Sequence, residues 1–320
     1  MNNNNQIKNI GNTIEVHYCF NDVTHSMDAL VLNKCNYEVL NIIKEVSRLL
    51  SVEIIIETEP FGEGGLKTWF KVLTKEEKKK AVILTAVVSS LCTTLFVTPV
   101  SKITETVIEK IFEDSELKDL EKEKMELEIE KLKQEINQNS EVINNSVAIR
   151  KRKSNFYETL DKYPKVNQVQ FILTNENKQS AYKNEIIQKN DFGKFILISD
   201  DLEPTEKDEA IIEIISPVLK KGKYKWTGIY NGEKISFNML SNEFKTLIQN
   251  GEVEFKNGFS INCALLTRKK IDNEGSSIIV GYDVTRVNNY FLNDNPIETD
   301  EGKRHRKQKE AEKLQLKLFD

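Results

Sequence analysis

Hydrophobic and polar positions change rhythm several times along the chain. Residues 13–20 (TIEVHYCF) and 51–58 (SVEIIIET) are β-rich runs closed by Asn21-Asp22 and by Pro60 and Gly62, and both read as strands. Between them Val39, Ile42, Ile43, Val46 and Leu50 recur at three- and four-residue steps behind Asn36 as N-cap, which predicts a helix over 36–50. These elements make a small α/β domain over 1–65. After Gly64-Gly65, the spacing of Leu66, Trp69, Phe70 and Leu73 predicts a short helix.

The next rhythm is the absence of charge. Ala81–Ser101 (AVILTAVVSSLCTTLFVTPVS) carries no ionisable side chain apart from Cys92, in a chain with 30% charged residues. A bilayer-spanning helix needs about 20 mostly apolar residues, and this run reaches that length. At about 100° per residue, Leu84, Val88, Leu91 and Leu95 share one face. Thr85, Ser89 and Thr93 fall largely on the other, a pattern that suits helix association or the wall of a pore. These seven residues are the candidate membrane or pore helix. Trp69 and Phe70 are candidate interface anchors, and Lys75, Lys78, Lys79 and Lys80 mark the cytosolic end by charge bias. The rival reading is a helix buried in a protein core. A membrane-entry segment therefore spans 66–112, with Ile103, Val107, Ile108 and Ile111 as an amphipathic continuation.

From 113 to 155 the chain is densely charged. Met125, Ile129, Leu132, Ile136 and Ile143 follow coiled-coil spacing, against the alternative of a lone solvated helix. The run Arg150-Lys151-Arg152-Lys153 closes it. From 156 to 298 strand signals dominate: 166–174, 194–199 and 209–216, with a short helix over Gln179–Gln188. Asn231-Gly232 and Asn257-Gly258 each sit between strand-like runs and predict hairpins. Ser241–Gln249 reads as a short helix with Ser241 or Asn242 as cap, and 299–320 as a polar, basic tail. The expected fold class is α+β, with a small N-terminal α/β domain, a hydrophobic helix, a charged helix and a mainly β C-terminal domain.

Composition narrows the chemistry. A net charge of −4 over 320 residues announces no bulk nucleic-acid binder, so such a role needs local patches. Lys67, Lys71, Lys78, Lys79, Lys80, Arg150 and Arg152 are the candidate ligand or DNA contacts, and solvated faces are the plainer reading of them. Lys220, Lys221, Lys223 and Lys225 beside Trp226 form another basic stretch. Cys19, Cys35, Cys92 and Cys263 have no metal-knuckle spacing, and His17, His25 and His305 lie in no ligand set. Carboxylates gather at Glu57, Glu59 and Glu63 and at Asp200, Asp201 and Glu203 without a base or phosphate loop. No catalytic residue, metal or cofactor is nominated.

Two stretches resemble known arrangements. The line through Trp226, Asn231-Gly232, Ile235-Ser236-Phe237, Phe244 and 255–258 resembles a β module of many bacterial proteins. The stretch Glu63-Gly64-Gly65-Leu66-Lys67-Thr68-Trp69-Phe70, between a small α/β domain and an apolar helix, is similar to phage-defence membrane proteins. The whole order looks most like the membrane effectors of Hailong-type antiphage defence. That resemblance implies a homo-oligomeric, tetrameric ion channel in the bacterial inner membrane, and the lysine bias puts its N-terminal domain in the cytosol. It implies gating by single-stranded DNA oligomers from a partner nucleotidyltransferase. The alternative is a cytoplasmic oligomeric scaffold that binds a ligand or nucleic acid and buries Ala81–Ser101 in its core.

Overall fold

A computed structural model describes residues 11–22, 26–58, 66–75, 78–99, 142–143, 146–175, 178–180, 185–218, 224–256, 258–292 and 295–316. The charged seam over 113–140 and the continuation over 103–112 lie outside the described residues. The class is α+β, in two units: Met1–Ser199 with Ile271–Ser276, and Asp200–Lys270 with Ser277–Asp320.

The first unit is built on strand β1 (Thr13–Phe20). It pairs antiparallel with β3 (Leu66–Thr74) on one side and β4 (Val166–Thr174) on the other. β2 (Ile54–Thr58) lies on β3, and β5 (Glu185–Gln188) on β4, giving the order β2-β3-β1-β4-β5. Helices α1 (Ala29–Leu49), α2 (Lys78–Val97) and α3 (Val147–Asp161) complete the unit. The succession β1-α1-β2-β3-α2, closing on β4 beside β1, is a split β-α-β arrangement. α1 starts earlier than its apolar seam, because the Asp28 carboxylate accepts hydrogen bonds from Leu30 and Val31 N–H.

Three expectations change here. Leu66–Thr74 is a strand, not a helix: Phe70 and Val72 face the helices, while Trp69 is buried on the opposite side. Burial on both faces hides the alternation that marks a half-buried strand. Residues 185–188 form an edge strand rather than a helix end, and 189–195 form a 3-10 helix in place of the strand expected over 194–199. The first unit runs on to Ser199, because β4 and β5 complete its sheet.

The uncharged stretch is a helix, and the protein itself encloses it. Val88, Leu91, Cys92, Leu95 and Phe96 are fully buried with Ile14, Val16, Phe70, Phe156 and Phe171 in one core. Phe96 stacks on Phe171 at 4.3 Å and meets Phe156 edge-on at 5.3 Å. A helix apolar on most of its circumference belongs in such a core. Its uncharged part, 81–97, stops short of the roughly 20 residues a bilayer requires. Among the described residues no helix is long and apolar enough to cross a membrane.

Lys153 closes this helix. Fully buried on α3, its ammonium donates to the carbonyls of Leu95 (3.2 Å) and Thr98 (2.8 Å), at the α2 C-terminus. Tyr157 adds a bond from its hydroxyl to the Phe96 carbonyl at 2.7 Å. Burial, with Arg150 nearby, pushes the Lys153 pKa down from the ordinary 10.5 to about 7. The folded state then binds fewer protons than the unfolded chain between about 7 and 10.5, so stability rises with pH across that window. The two carbonyls favour the charged amine and offset part of this effect. Urea unfolding is expected to show a gain of about 1–2 kcal/mol from pH 7 to pH 9, absent in Lys153→Met.

The second unit is a barrel. β6 (Asp201–Ser216), β7 (Trp226–Tyr230) and β8 (Glu233–Met239) form an antiparallel meander. Helix α4 (Asn242–Gln249) follows, capped by the Ser241 hydroxyl, which accepts from Phe244 N–H at 3.1 Å. β9 (Ser260–Ile271) pairs with β6, and β10 (Ser277–Leu292) pairs with both β9 and β8, the last pairing being parallel. The ring β6-β7-β8-β10-β9 therefore closes on itself around Trp226, Phe237, Phe244, Ile261, Cys263 and Val284. β11 (Asn295–Glu298) extends it at β10. The hairpin at Asn231-Gly232 forms as expected, with φ of 53° and 82°, the left-handed values these residues tolerate.

The C-terminal tail, expected to fray, is instead helix α5 (Asp300–Leu316), with its first turn against β10. A Cβ on Gly302 would lie 2.2 Å from the Asn288 carbonyl oxygen, so glycine permits this approach. Asp208 anchors the helix through Lys309 at 2.6 Å and also pairs with Arg286 at 2.9 Å. Lys309 first, then Arg286, holds its carboxyl below the usual range.

Candidate functional site

A polar site lies in the first unit, where α1 and α3 face each other. α1 contributes Lys34, Tyr37 and Glu38. α3 contributes Arg152, Asn155, Glu158 and Thr159, with Lys162 just beyond it, and the segment Ile271–Ser276 adds Asn273 and Glu274. Together they line a cleft of about 450 Å³. Glu38 and Asn155 occupy helix positions otherwise used for core contacts, and are 3% and 8% exposed.

Arg152 organises the cleft. It donates to Glu274 at 2.6 Å and to Glu38 at 3.3 Å, and its guanidinium lies 5.1 Å from the centre of the Tyr37 ring. The Tyr37 hydroxyl donates to the same Glu274 oxygen at 3.0 Å. Asn155 donates to Glu38 at 3.3 Å and to the Asn273 carbonyl at 3.1 Å. Burial raises the Glu38 pKa, and Arg152 and Asn155 pull against that shift. Burial also works against the Arg152 charge, yet Glu274 and Glu38 together hold its proton more firmly than usual. The site thus joins a fixed aromatic ring, a buried carboxylate and exposed ammonium groups. It can bind a polar molecule. Its side chains include no nucleophile held against a general base.

The residues singled out by sequence fall elsewhere, apart from Arg152. Leu84, Val88, Leu91 and Leu95 are buried within the protein. The expected hydroxyl lining of a pore is turned inward as well, with Thr85 and Ser89 buried and Thr93 half-buried. Thr85 and Thr93 donate to the carbonyls of Ala81 and Ser89, one turn back. Trp69 and Phe70 are not interface anchors. The Trp69 indole N–H donates to the buried Glu15 carboxylate at 2.9 Å, and Phe70 is in the core. Lys67 pairs with Glu15 at 3.0 Å, with Lys71 on the same sheet face. Lys78, Lys79 and Lys80 open α2, and their side chains are not described. Arg150 is half-buried on α3. Arg152, expected as a surface contact, is an interior ion-pair partner.

Sequence reasoning missed Glu38, Tyr37 and Asn155. The signal available was a lone Glu between Cys35, Val39 and Ile42 on an apolar seam, matched by a basic run of which Lys151, Arg152 and Lys153 are buried on α3. Among the described residues no group of three or more His, Cys, Asp or Glu side chains could hold a metal ion. The buried thiols of Cys35 and Cys263 have pKa values pushed up to about 12 by desolvation, and that of Cys92 is raised by the same cause.

The barrel offers a second surface. Ile229 and Lys234 pair across β7 and β8 on the outer side, as do Thr227 and Ser236. Tyr224 and Lys225, just before β7, are exposed. No protein-family model, no curated protein and no solved structure matches the chain.

Proposed function

We propose that the chain is a nucleic-acid-binding scaffold without catalytic activity of its own, in which α2 is a structural core element. The observation carrying this reading is the connectivity of the barrel: five strands closed in the order β6-β7-β8-β10-β9, with α4 between the third and fourth. Greek-key barrels of this kind, the OB-fold, bind oligonucleotides across their second and third strands and the adjoining loops. Side chains on and beside these strands suit the same role. Here those strands are β7 and β8, and the exposed Tyr224 and Lys225 stand immediately before β7, in a sequence that also carries Lys220, Lys221 and Lys223. Stacking and phosphate contact are what a single strand asks of such a surface.

Fluorescence anisotropy with a labelled oligothymidylate of about 15 nucleotides tests this. Binding is expected to weaken steeply as salt rises. Lys225→Glu combined with Lys234→Glu is expected to weaken it about tenfold, through charges that meet phosphate. No binding by micromolar protein at about 50 mM salt would overturn the reading.

One observation favours a second reading. The hydroxyls of Ser89 and Ser90 on α2 are buried with no hydrogen-bond partner among the described residues. A helix carrying such groups is less firmly settled in its core, and the membrane effector of the Hailong-type resemblance, with its tetramer and partner nucleotidyltransferase, would require α2 to leave it. Dye release from liposomes when an oligonucleotide is withdrawn would favour that reading. Intact liposomes throughout would remove it.

A further inference from the structure

We infer that the cleft between α1 and α3 binds a nucleoside phosphate, with guanine as the base that fits. The inference is independent of the barrel's proposed role, since every lining residue belongs to the first unit.

The cavity volume of about 450 Å³ lies in the range of small-molecule sites. Tyr37 supplies a platform. The residue is 46% exposed, while Arg152 near the ring and Glu274 on its hydroxyl fix its position. A fixed, half-exposed aromatic ring is what a nucleobase stacks on.

Glu38 supplies the reading group. Its carboxylate lines the cleft, is 3% exposed, and is held by two hydrogen bonds, both of 3.3 Å. That is beyond the usual length for such bonds, and a carboxylate has about four acceptor positions. A buried acceptor with spare capacity calls for a ligand that brings donors. Guanine presents two adjacent N–H groups on its pairing edge, a geometry that a carboxylate accepts. Adenine and cytosine present a ring nitrogen acceptor there, which the carboxylate repels. The Asn155 amide beside Glu38 spends its donors on Glu38 and the Asn273 carbonyl, which leaves its oxygen as a second acceptor.

At the rim, Lys34 and Lys162 are both exposed and both line the cleft. The partner of Lys162 is Glu158, one turn away, and exposed pairs of this kind are weak enough to open for a phosphate. A purely structural Arg152–Glu38 pair would explain the burial of both groups. It would not explain two long bonds beside an open cleft.

The test is calorimetric titration of the full chain with GMP, AMP, CMP, UMP and guanosine. GMP is expected to bind about tenfold tighter than AMP, the discrimination that a hydrogen-bonding pocket gives. Guanosine should be weaker than GMP, because it lacks the phosphate. Tyr37→Ala is expected to cost about fivefold in affinity, and so is Lys34→Ala. Both side chains are exposed, so unchanged thermal melting of the free variants shows that folding is intact. Glu38→Gln, which replaces one acceptor oxygen by a donor, should erase the preference for GMP over AMP. Absence of heat with every nucleotide at millimolar concentration overturns the inference. So does binding that Tyr37→Ala and Lys34→Ala leave unchanged. Oligonucleotide binding measured on the same samples keeps a failure here separate from a failure of the barrel's role.

Discussion

Leu91→Asp is expected to unfold the first unit. Leu91 is fully buried on α2, in a core shared with Val88, Leu95 and Phe96. A carboxylate there would lose its hydration and leave a cavity where the leucine packed. Each mechanism alone accounts for large losses, and together they exceed about 4 kcal/mol. Because β1 and β4 contribute to the same core, the sheet should fail with the helix. Urea unfolding followed by near-ultraviolet circular dichroism would detect the loss. A variant as stable as the parent chain would mean that α2 is not packed as described. Ser90→Ala gives the internal contrast. Its hydroxyl is buried without a partner among the described residues, so its removal is expected to be neutral or mildly stabilising.

Arg152→Ala is expected to cost about 3 kcal/mol, because it strands the Glu38 carboxylate in the interior. Desolvation already raises the Glu38 pKa, and the loss of Arg152 removes the strongest force opposing that rise. In the variant the folded state binds more protons than the unfolded chain between the ordinary glutamate range and the raised value. Stability then falls as pH rises through that window, and the deficit should shrink again on acidification. Urea unfolding at pH 5 and pH 7 would show this sign. The double variant Arg152→Met with Glu38→Leu should recover most of the loss, since apolar side chains of similar volume commonly replace a buried pair at little cost. A double variant no better than Arg152→Ala would show that the pair itself holds α1 against α3.

Much of the architecture was legible because local signals agreed with the tertiary context. The α1 seam at Val39, Ile42, Ile43 and Val46 and the turn at Asn231-Gly232 formed where the residues placed them, and of the two caps open to α4 the structure uses Ser241. What misled was burial on both sides. Leu66–Thr74 has no clean alternation, because Trp69 is buried on the face opposite Phe70. The uncharged stretch gave its helix but not its environment: an apolar circumference suits lipid and a protein core alike. Length was the nearest discriminator, and the helix ends at Val97 ahead of Pro99.

The cleft was less legible than the fold. A run such as Arg150-Lys151-Arg152-Lys153 normally means a solvated surface, yet Lys151, Arg152 and Lys153 are all buried on α3. Their partners are distant in sequence. Arg152 finds Glu38 and Glu274, and Lys153 finds carbonyls at the end of α2. Pairing across 114 and 122 positions leaves no trace in spacing or periodicity. The barrel's closure was hidden for a similar reason, since its parallel β8–β10 contact skips over α4 and β9.

The measurement that bears most directly on this account is amide hydrogen exchange of the full chain in detergent-free buffer, read over residues 84–96. As a core helix, α2 should be protected to the same level as β1 and β4, with no change when liposomes are added. Fast exchange of α2 in buffer, with protection appearing only in the presence of liposomes, would contradict the account and place the helix in lipid.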